Sequence, residues 1–326
     1  MNTCIKLNPE NKSTNKKLIA FLAEFDLSYE KLDSLFVVEN SSGDWLASGG
    51  RAGGVLKGFA VRDEYRSEGL FDMILSSLLT EAYKQGIHTL YVFTKNEYSQ
   101  IFKSFAFVEL AHTNVSSLLM RSDISIDQML DDLDIDVVAD DEVGAIVMNA
   151  NPFTNGHKYL VETASKKVDD LIVFVVQSDA SQFSYDDRMK LVKLGTAMYK
   201  NVHVVPSTDL IVSQATFPSY FLKEKELISS EHAKIDAMVF KKYFVPKFGI
   251  DIRFLGTEPT DASTAIYNEV LSGILPPECK VEIIERLQSG DYAVSASVVR
   301  RLLKEGRMEE IKELVPQATF DYLSGK

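Results

Sequence analysis

From residue 143 onward, short apolar runs alternate with stretches whose apolar positions recur three and four residues apart. The runs at 144–148, 171–177, 202–205, 252–255 and 281–284 have the length and composition of buried strands. The stretches at 156–167, 185–198, 235–248, 262–272 and 297–305 have helical spacing, most of them clearly. Ser184 and Asp187 resemble a capping box at the start of the second helix, and Gly273 with Pro276 ends the fourth. This alternation predicts an α/β fold with an open, doubly wound parallel sheet. Ligands of such sheets bind where the carboxyl ends of strands meet the following helices. The first 122 residues have a different rhythm. Strands are predicted at 34–39, 44–51, 55–61, 89–93 and 107–110, with one strong helix at 69–84, which is a mixed α+β pattern.

The 326 residues carry a net charge of -12, and its distribution marks the domains. Residues 1–122 hold 13 basic and 14 acidic side chains, and 143–326 hold 22 and 24. The nine remaining acidic groups, Asp123, Asp127, Asp131, Asp132, Asp134, Asp136, Asp140, Asp141 and Glu142, fall between them, where there is no Lys or Arg. A linker at 123–142 therefore separates two nearly neutral domains, and it is expected to be a solvated hinge with a short helix at 126–133. Neither domain offers the basic surface that nucleic acid requires. Cys4 and Cys279 are too few for a disulfide framework and lack zinc-site spacing. The first 13 residues are polar, and the longest aliphatic run, 171–176, cannot span a bilayer. A cytoplasmic, membrane-free protein is expected.

The chemistry concentrates at the predicted strand–helix junctions. After the first strand comes Asn149-Ala150-Asn151-Pro152-Phe153-Thr154-Asn155-Gly156-His157. Free N–H groups and the positive dipole at a helix start attract phosphate, a glycine such as Gly156 permits close approach, and His157 adds a directed donor. After the fourth strand, Gly256 precedes Glu258 and Asp261, which can bind a ribose hydroxyl, an adenine amino group or a magnesium-bound water; Asp261 can equally cap a helix. A third junction, Ser295-Ala296-Ser297-Val298-Val299-Arg300, offers hydroxyls and a guanidinium able to clamp phosphates. Arg188, after the second strand, can contact triphosphate or form a surface ion pair.

The T-N-G-H of 154–157 resembles the (H/T)-x-G-H signature of the nucleotidyltransferase superfamily, and 294–300 resembles the I-S-S-T-x-x-R motif that closes its active site. That resemblance implies a Rossmann-like domain in which Thr154, His157 and Arg300 are catalytic. It also implies ATP held by Asn149, Pro152, Phe153, Gly156, Arg188, Gly256, Glu258, Asp261, Ser295 and Ser297, with Mg²⁺ screening the triphosphate. The segments N-A-N-P-F-T-N-G-H-K-Y-L-V-E, F-S-Y-D-D-R, L-G-T-E-P-T-D-A-S-T-A-I-Y-N and V-S-A-S-V-V-R-R together resemble the citrate lyase ligase family over nearly the whole chain. Such a ligase activates acetate as acetyl-adenylate and acetylates the thiol of the CoA-like prosthetic group on the acyl-carrier subunit of citrate lyase. The chemistry needs alignment and charge stabilisation, without a protein nucleophile.

In the first domain, Val61 to Phe71 resembles the R/Q-x-x-G-x-G/A pyrophosphate loop of GNAT acetyltransferases, matching at Arg66 and Gly69 and departing at Phe71. Residues 101–107 resemble that family's F-Y-x-K-x-G-F run, with Phe102 where a Tyr general acid is common. The expectation is a GNAT-like domain that grips a CoA-like arm through Val61, Arg66 and Gly69 without transferring acetyl. Two alternatives remain open at this point: a phosphopantetheine-type adenylyltransferase, and a nucleotide-binding interaction protein without turnover.

Overall fold

The computed structural model describes residues 2–137, 141–177, 181–211, 220–222, 224–257, 262–285, 287–289 and 292–325. The chain forms two compact units, Met1–Ser125 with Phe217–Glu231, and Ile126–Thr216 with His232–Lys326. The second domain expected from sequence thus gives up an internal segment, Phe217–Glu231, to the first unit.

The first unit is built on a seven-stranded sheet of order β1-β2-β3-β4-β5-β7-β6. Its strands are β1 (Thr3–Leu7), β2 (Ser34–Glu39), β3 (Trp45–Ala52), β4 (Val55–Val61), β5 (Thr89–Lys95), β6 (Val108–His112) and β7 (Ser116–Ser122). All neighbours run antiparallel except β4 and β5, which are parallel and pair only at Val55↔Tyr91 and Leu56↔Val92. Gly58, at φ +70, turns β4 aside just beyond that pairing. Helix α1 (Lys12–Ala23) buries Leu18, Phe21 and Leu22 with Leu35, Val37 and Trp45. Helix α2 (Leu70–Lys84) buries Leu70, Ile74, Leu78 and Ala82, a four-residue repeat, with Val92 and Leu119. A short α3 (Ser99–Lys103) follows β5. β1, α1 and β7 escape the sequence pattern. β1 is a five-residue edge strand with no buried position, and α1 opens with a polar turn capped by Asn11.

The second unit starts inside the acidic stretch. Helix α4 (Ile126–Asp131) buries Leu130, Leu133 is buried just after it, and Asp131 pairs with Lys247, so this half of the linker is docked structure and not a solvated hinge. The sheet has order β10-β9-β8-β11-β12, formed by β8 (Val143–Met148), β9 (Asp170–Val175), β10 (Val202–Pro206), β11 (Ile250–Gly256) and β12 (Lys280–Ile284). Every pair is parallel. The connecting helices are α5 (Asn155–Ser165), α6 (Tyr185–Thr196), α7 (Lys225–Val239), which continues through a π-helical turn into α8 (Val245–Phe248), and α9 (Ala262–Ile274). A two-residue hairpin, β13 (Gln288–Ser289) and β14 (Tyr292–Ala293), leads to α10 (Ala296–Lys304), α11 (Met308–Lys312) and α12 (Gln317–Ser324). The chain lays strands outward from β8 on one side and then returns to β11 on the other. The gap beyond the carboxyl ends of β8 and β11 is therefore the topological switch point, where a ligand crevice opens.

Candidate active site

Strand β8 delivers its exit loop to that crevice. Asn149 is exposed, Ala150 has φ +49, and Pro152 and Phe153 turn into the core. The Phe153 ring lies against α6 where a Cβ at Gly195 would meet it at 2.3 Å. Pro152 and Phe153 therefore anchor the loop from beneath. Thr154 then caps α5: its side chain accepts from the His157 N–H at 3.4 Å, and His157 Nδ1 accepts from the Thr154 N–H at 3.0 Å. The imidazole stacks on Phe153, centroids 5.8 Å apart. Because Nδ1 is an acceptor, the proton of the neutral ring sits on Nε2, which makes that nitrogen a donor of fixed orientation.

The last junction is drawn to the first. Ser295 caps α10 by accepting from the Val298 N–H at 3.2 Å. Arg300, one turn further, donates to the Asn151 carbonyl at 2.5 Å and to Ser297 Oγ at 3.0 Å. A Cβ on Gly156 would stand 2.8 Å from the Val294 carbonyl oxygen. The glycine admits the chain's own α10 entry segment, whereas the sequence suggested close approach of a ligand. Asn155 fixes the same corner by donating its N–H to Leu314 and its side chain to Glu313. Two helix N-termini, Thr154 with His157, and Ser295 with Ser297 and Arg300, thus meet in one neighbourhood, an arrangement with the donors and dipoles to attract an anion.

Arg188 corrects the sequence reading. It is fully buried, and its guanidinium donates to the carbonyls of Phe183, Asn149 and Val176 and to Asn149 Oδ1. A fully buried side chain with these four acceptors braces the end of β8, and it is not the surface ion-pair residue that one reading of the sequence allowed. On the neighbouring strand, Gly256 is held by Asn268 Nδ2, which donates to its carbonyl at 3.0 Å, and a Cβ there would meet nothing within 4 Å. Glu258 and Asp261 lie outside the described residues. Asn151 was missed by motif reading: its carbonyl takes Arg300 and its side chain accepts the Phe183 N–H. Among the described residues, no group of three or more His, Cys, Asp and Glu could hold a metal ion. None of their helices is long and apolar enough to cross a membrane.

The first unit carries its own cavity, of about 570 Å³, lined by Val61, Arg66, Phe71, Thr94, Tyr98 and Phe102 among others. Gly69 caps α2 at φ +72, a conformation that glycine adopts without strain. Arg66, exposed, pairs with Asp63 at 2.7 Å. Phe102 is buried in an edge-to-face cluster with Phe59, Phe71 and Phe107. Tyr98, which the motif comparison passed over, lines the same cavity, and burial together with Glu97 raises the pKa of its phenol.

The family model for the citrate lyase ligase C-terminal domain matches residues 143–323. A citrate [pro-3S]-lyase ligase of Escherichia coli (strain K12) is 36% identical over 322 residues, covering 96% of this chain and 92% of that protein. The chain belongs to the citrate lyase ligase family. A phosphopantetheine adenylyltransferase of Helicobacter pylori is 34% identical over only 76 residues, 23% of this chain and 48% of that protein. Among solved structures, TmcAL of Thermotoga maritima, bound with alpha-thio ATP, is similar at 16% identity with a TM-score of 0.39, covering 56% of this chain and 55% of that one. In the family's frame, the matched region spans the whole parallel sheet and both helix N-termini of the crevice.

Proposed function

We propose that this chain is an ATP-dependent, AMP-forming ligase that activates acetate as acetyl-adenylate and acetylates the prosthetic-group thiol of the citrate lyase acyl-carrier subunit. The observation that carries the reading is the meeting of Thr154 and His157 with Ser297 and Arg300 in a chain that matches a citrate [pro-3S]-lyase ligase over 96% of its length.

In the first step an acetate oxygen attacks the α-phosphorus, and the bond to the β-phosphate oxygen breaks as pyrophosphate leaves. His157 Nε2–H donates to a phosphate oxygen, and Arg300 offsets the charge that grows on pyrophosphate, which is the interaction that accelerates chemistry instead of binding alone. Ser295 and Ser297 add donors at the start of α10, and ATP enters as its Mg²⁺ chelate. In the second step the carrier thiol, giving its proton to solvent, attacks the acetyl carbonyl and AMP departs. The first unit holds the carrier's CoA-like arm at Val61, Arg66 and Gly69, where an α2 N-terminus faces pyrophosphate. Tethering raises the effective concentration of the thiol. This reading sets the reaction in a reducing compartment, the cytoplasm, because two cysteines are too few for a disulfide framework.

The test is a panel of short carboxylates assayed for AMP release with deacetylated citrate lyase present and absent. Acetate-driven pyrophosphate exchange supports the ligase. Exchange driven by dephospho-CoA would instead make the chain an adenylyltransferase, and ATP binding without AMP release would make it a nucleotide-binding protein.

A further inference from the structure

The cavity of the first unit reaches both faces of its sheet. Phe59, Phe71 and Phe102 belong to the core under α2, whereas Phe25, Leu27 and Ala60 belong to the core under α1, and all six line it. A cavity with walls on both faces runs through the sheet, and the opening lies where β4 and β5 cease to pair after Leu56 and Val92. On the α1 side its wall is completed by Tyr220 and Phe221. These belong to the segment that the sequence pattern assigns to the other half of the chain.

The described part of that segment is fastened at Tyr220 and again at Glu231. The Ser28 N–H donates to the Tyr220 carbonyl at 2.9 Å, and Tyr220, 7% exposed, lines the cavity together with Ala60 and Val61 of β4. The Phe221 ring stands 5.2 Å from Phe93 on β5. Further along, the fully buried Glu231 accepts from Ser116 Oγ at 2.7 Å and from Thr113 Oγ1 at 2.5 Å. Two aromatic side chains are thereby seated against the two strands that diverge, one against each.

Resting on the docking reading given above, we propose that Tyr220 and Phe221 form the inner wall of the arm site and select its sulfur-bearing end. The cavity has the volume of a small-molecule site, with aromatic walls and a few polar groups, Thr94, Lys95 and Tyr98, that suit a narrow chain of methylenes and amides ending in a thiol. Arg66 and the α2 N-terminus mark the end that takes pyrophosphate. The opposite face, which a second substrate would need in order to meet a thioester, is walled by Tyr220 and Phe221. Among the described residues, Tyr220 and Phe221 occupy the face by which an acceptor amine would enter, so the site suits a holder for a pantetheine-type thiol.

Calorimetric titration of the full chain with coenzyme A and with pantetheine, which lacks the nucleotide, separates the two ends. Phe221→Ala and the milder Tyr220→Phe should weaken both probes by a similar factor, about tenfold for Phe221→Ala, while Arg66→Gln should weaken coenzyme A alone. Hydrogen exchange of the wild-type chain should show the peptide carrying Tyr220–Leu222 protected by pantetheine, a readout independent of how the variants fold. If the wild-type chain binds neither probe, the docking reading itself fails. If it binds both, but Phe221→Ala leaves pantetheine affinity unchanged and the peptide gains no protection, docking stands and the selective wall is overturned.

Discussion

His157 and Arg188 show how differently two polar residues of one crevice are used. His157 caps its own helix through Nδ1 and presents Nε2 as a donor, so removing it deletes a directed contact from a fold that otherwise survives. His157→Ala should lower acetate-dependent AMP formation about a hundredfold, in line with the loss of one preorganised donor, and steady-state kinetics on the folded variant checks this. Arg188 makes no such offer. Arg188→Met leaves the carbonyls of Phe183, Asn149 and Val176 without their donor, and each orphaned acceptor costs about 1–3 kcal/mol. The expected outcome is a marked drop in the denaturation midpoint; a stable variant with only a raised KM for ATP would return Arg188 to the triphosphate.

At the scale of elements, the approach of α10 to α5 depends on Gly156. Gly156→Ala puts a Cβ 2.8 Å from a backbone oxygen, and relief requires the entry to α10, with Ser295 and Arg300, to move away from Thr154. Overpacking of this kind costs about 1–3 kcal/mol, and activity should fall with it. Gly256→Ala meets nothing within 4 Å, so its thermal unfolding should match the parent and any loss of ATP affinity would report contact with the ligand itself. Another element-level link ties β1 to α2. Burial raises the Glu81 pKa, but Lys6, Ser34 and Arg51 together bring it below the ordinary glutamate value. A lowered folded-state pKa means that this stabilisation is present above the unfolded value of about 4.3 and is lost as pH falls through the folded one. Urea midpoints measured between pH 6 and 3 should therefore fall less steeply for Glu81→Gln than for the parent.

For the whole molecule, the segment Phe217–Glu231 changes how the chain can be cut. Removing residues 1–125 strips Tyr220 of Ser28, Phe221 of Phe93, and Glu231 of its two hydroxyls. Such a truncation should aggregate, whereas one that also replaces 217–231 by a short polar linker should stay monodisperse by size-exclusion chromatography. Equal solubility of the two would mean that the segment does not depend on the first unit.

The alternating pattern beyond residue 143 was legible where strands are short apolar runs and helices carry their own caps, as α5, α6 and α10 do in Thr154, Ser184 and Ser295, and these are local properties. The same holds for the T-N-G-H corner, where cap, imidazole and the free N–H groups of the helix start lie within four residues of one another. The edge strand β1 and the polar start of α1 were not legible, since half-exposed elements carry little hydrophobic signal. What only the tertiary structure decided is whatever rests on partners distant in sequence. Arg188 became a core brace because carbonyls from the two loops after β8 and β9 surround it, Gly156 a contact point because Val294 passes over it, and Tyr220 with Phe221 a cavity wall because β4 and β5 part beneath them. A pattern of neighbours along the chain fixes periodicity and local donors; which surface each residue finally faces is set by contacts that no window of sequence contains.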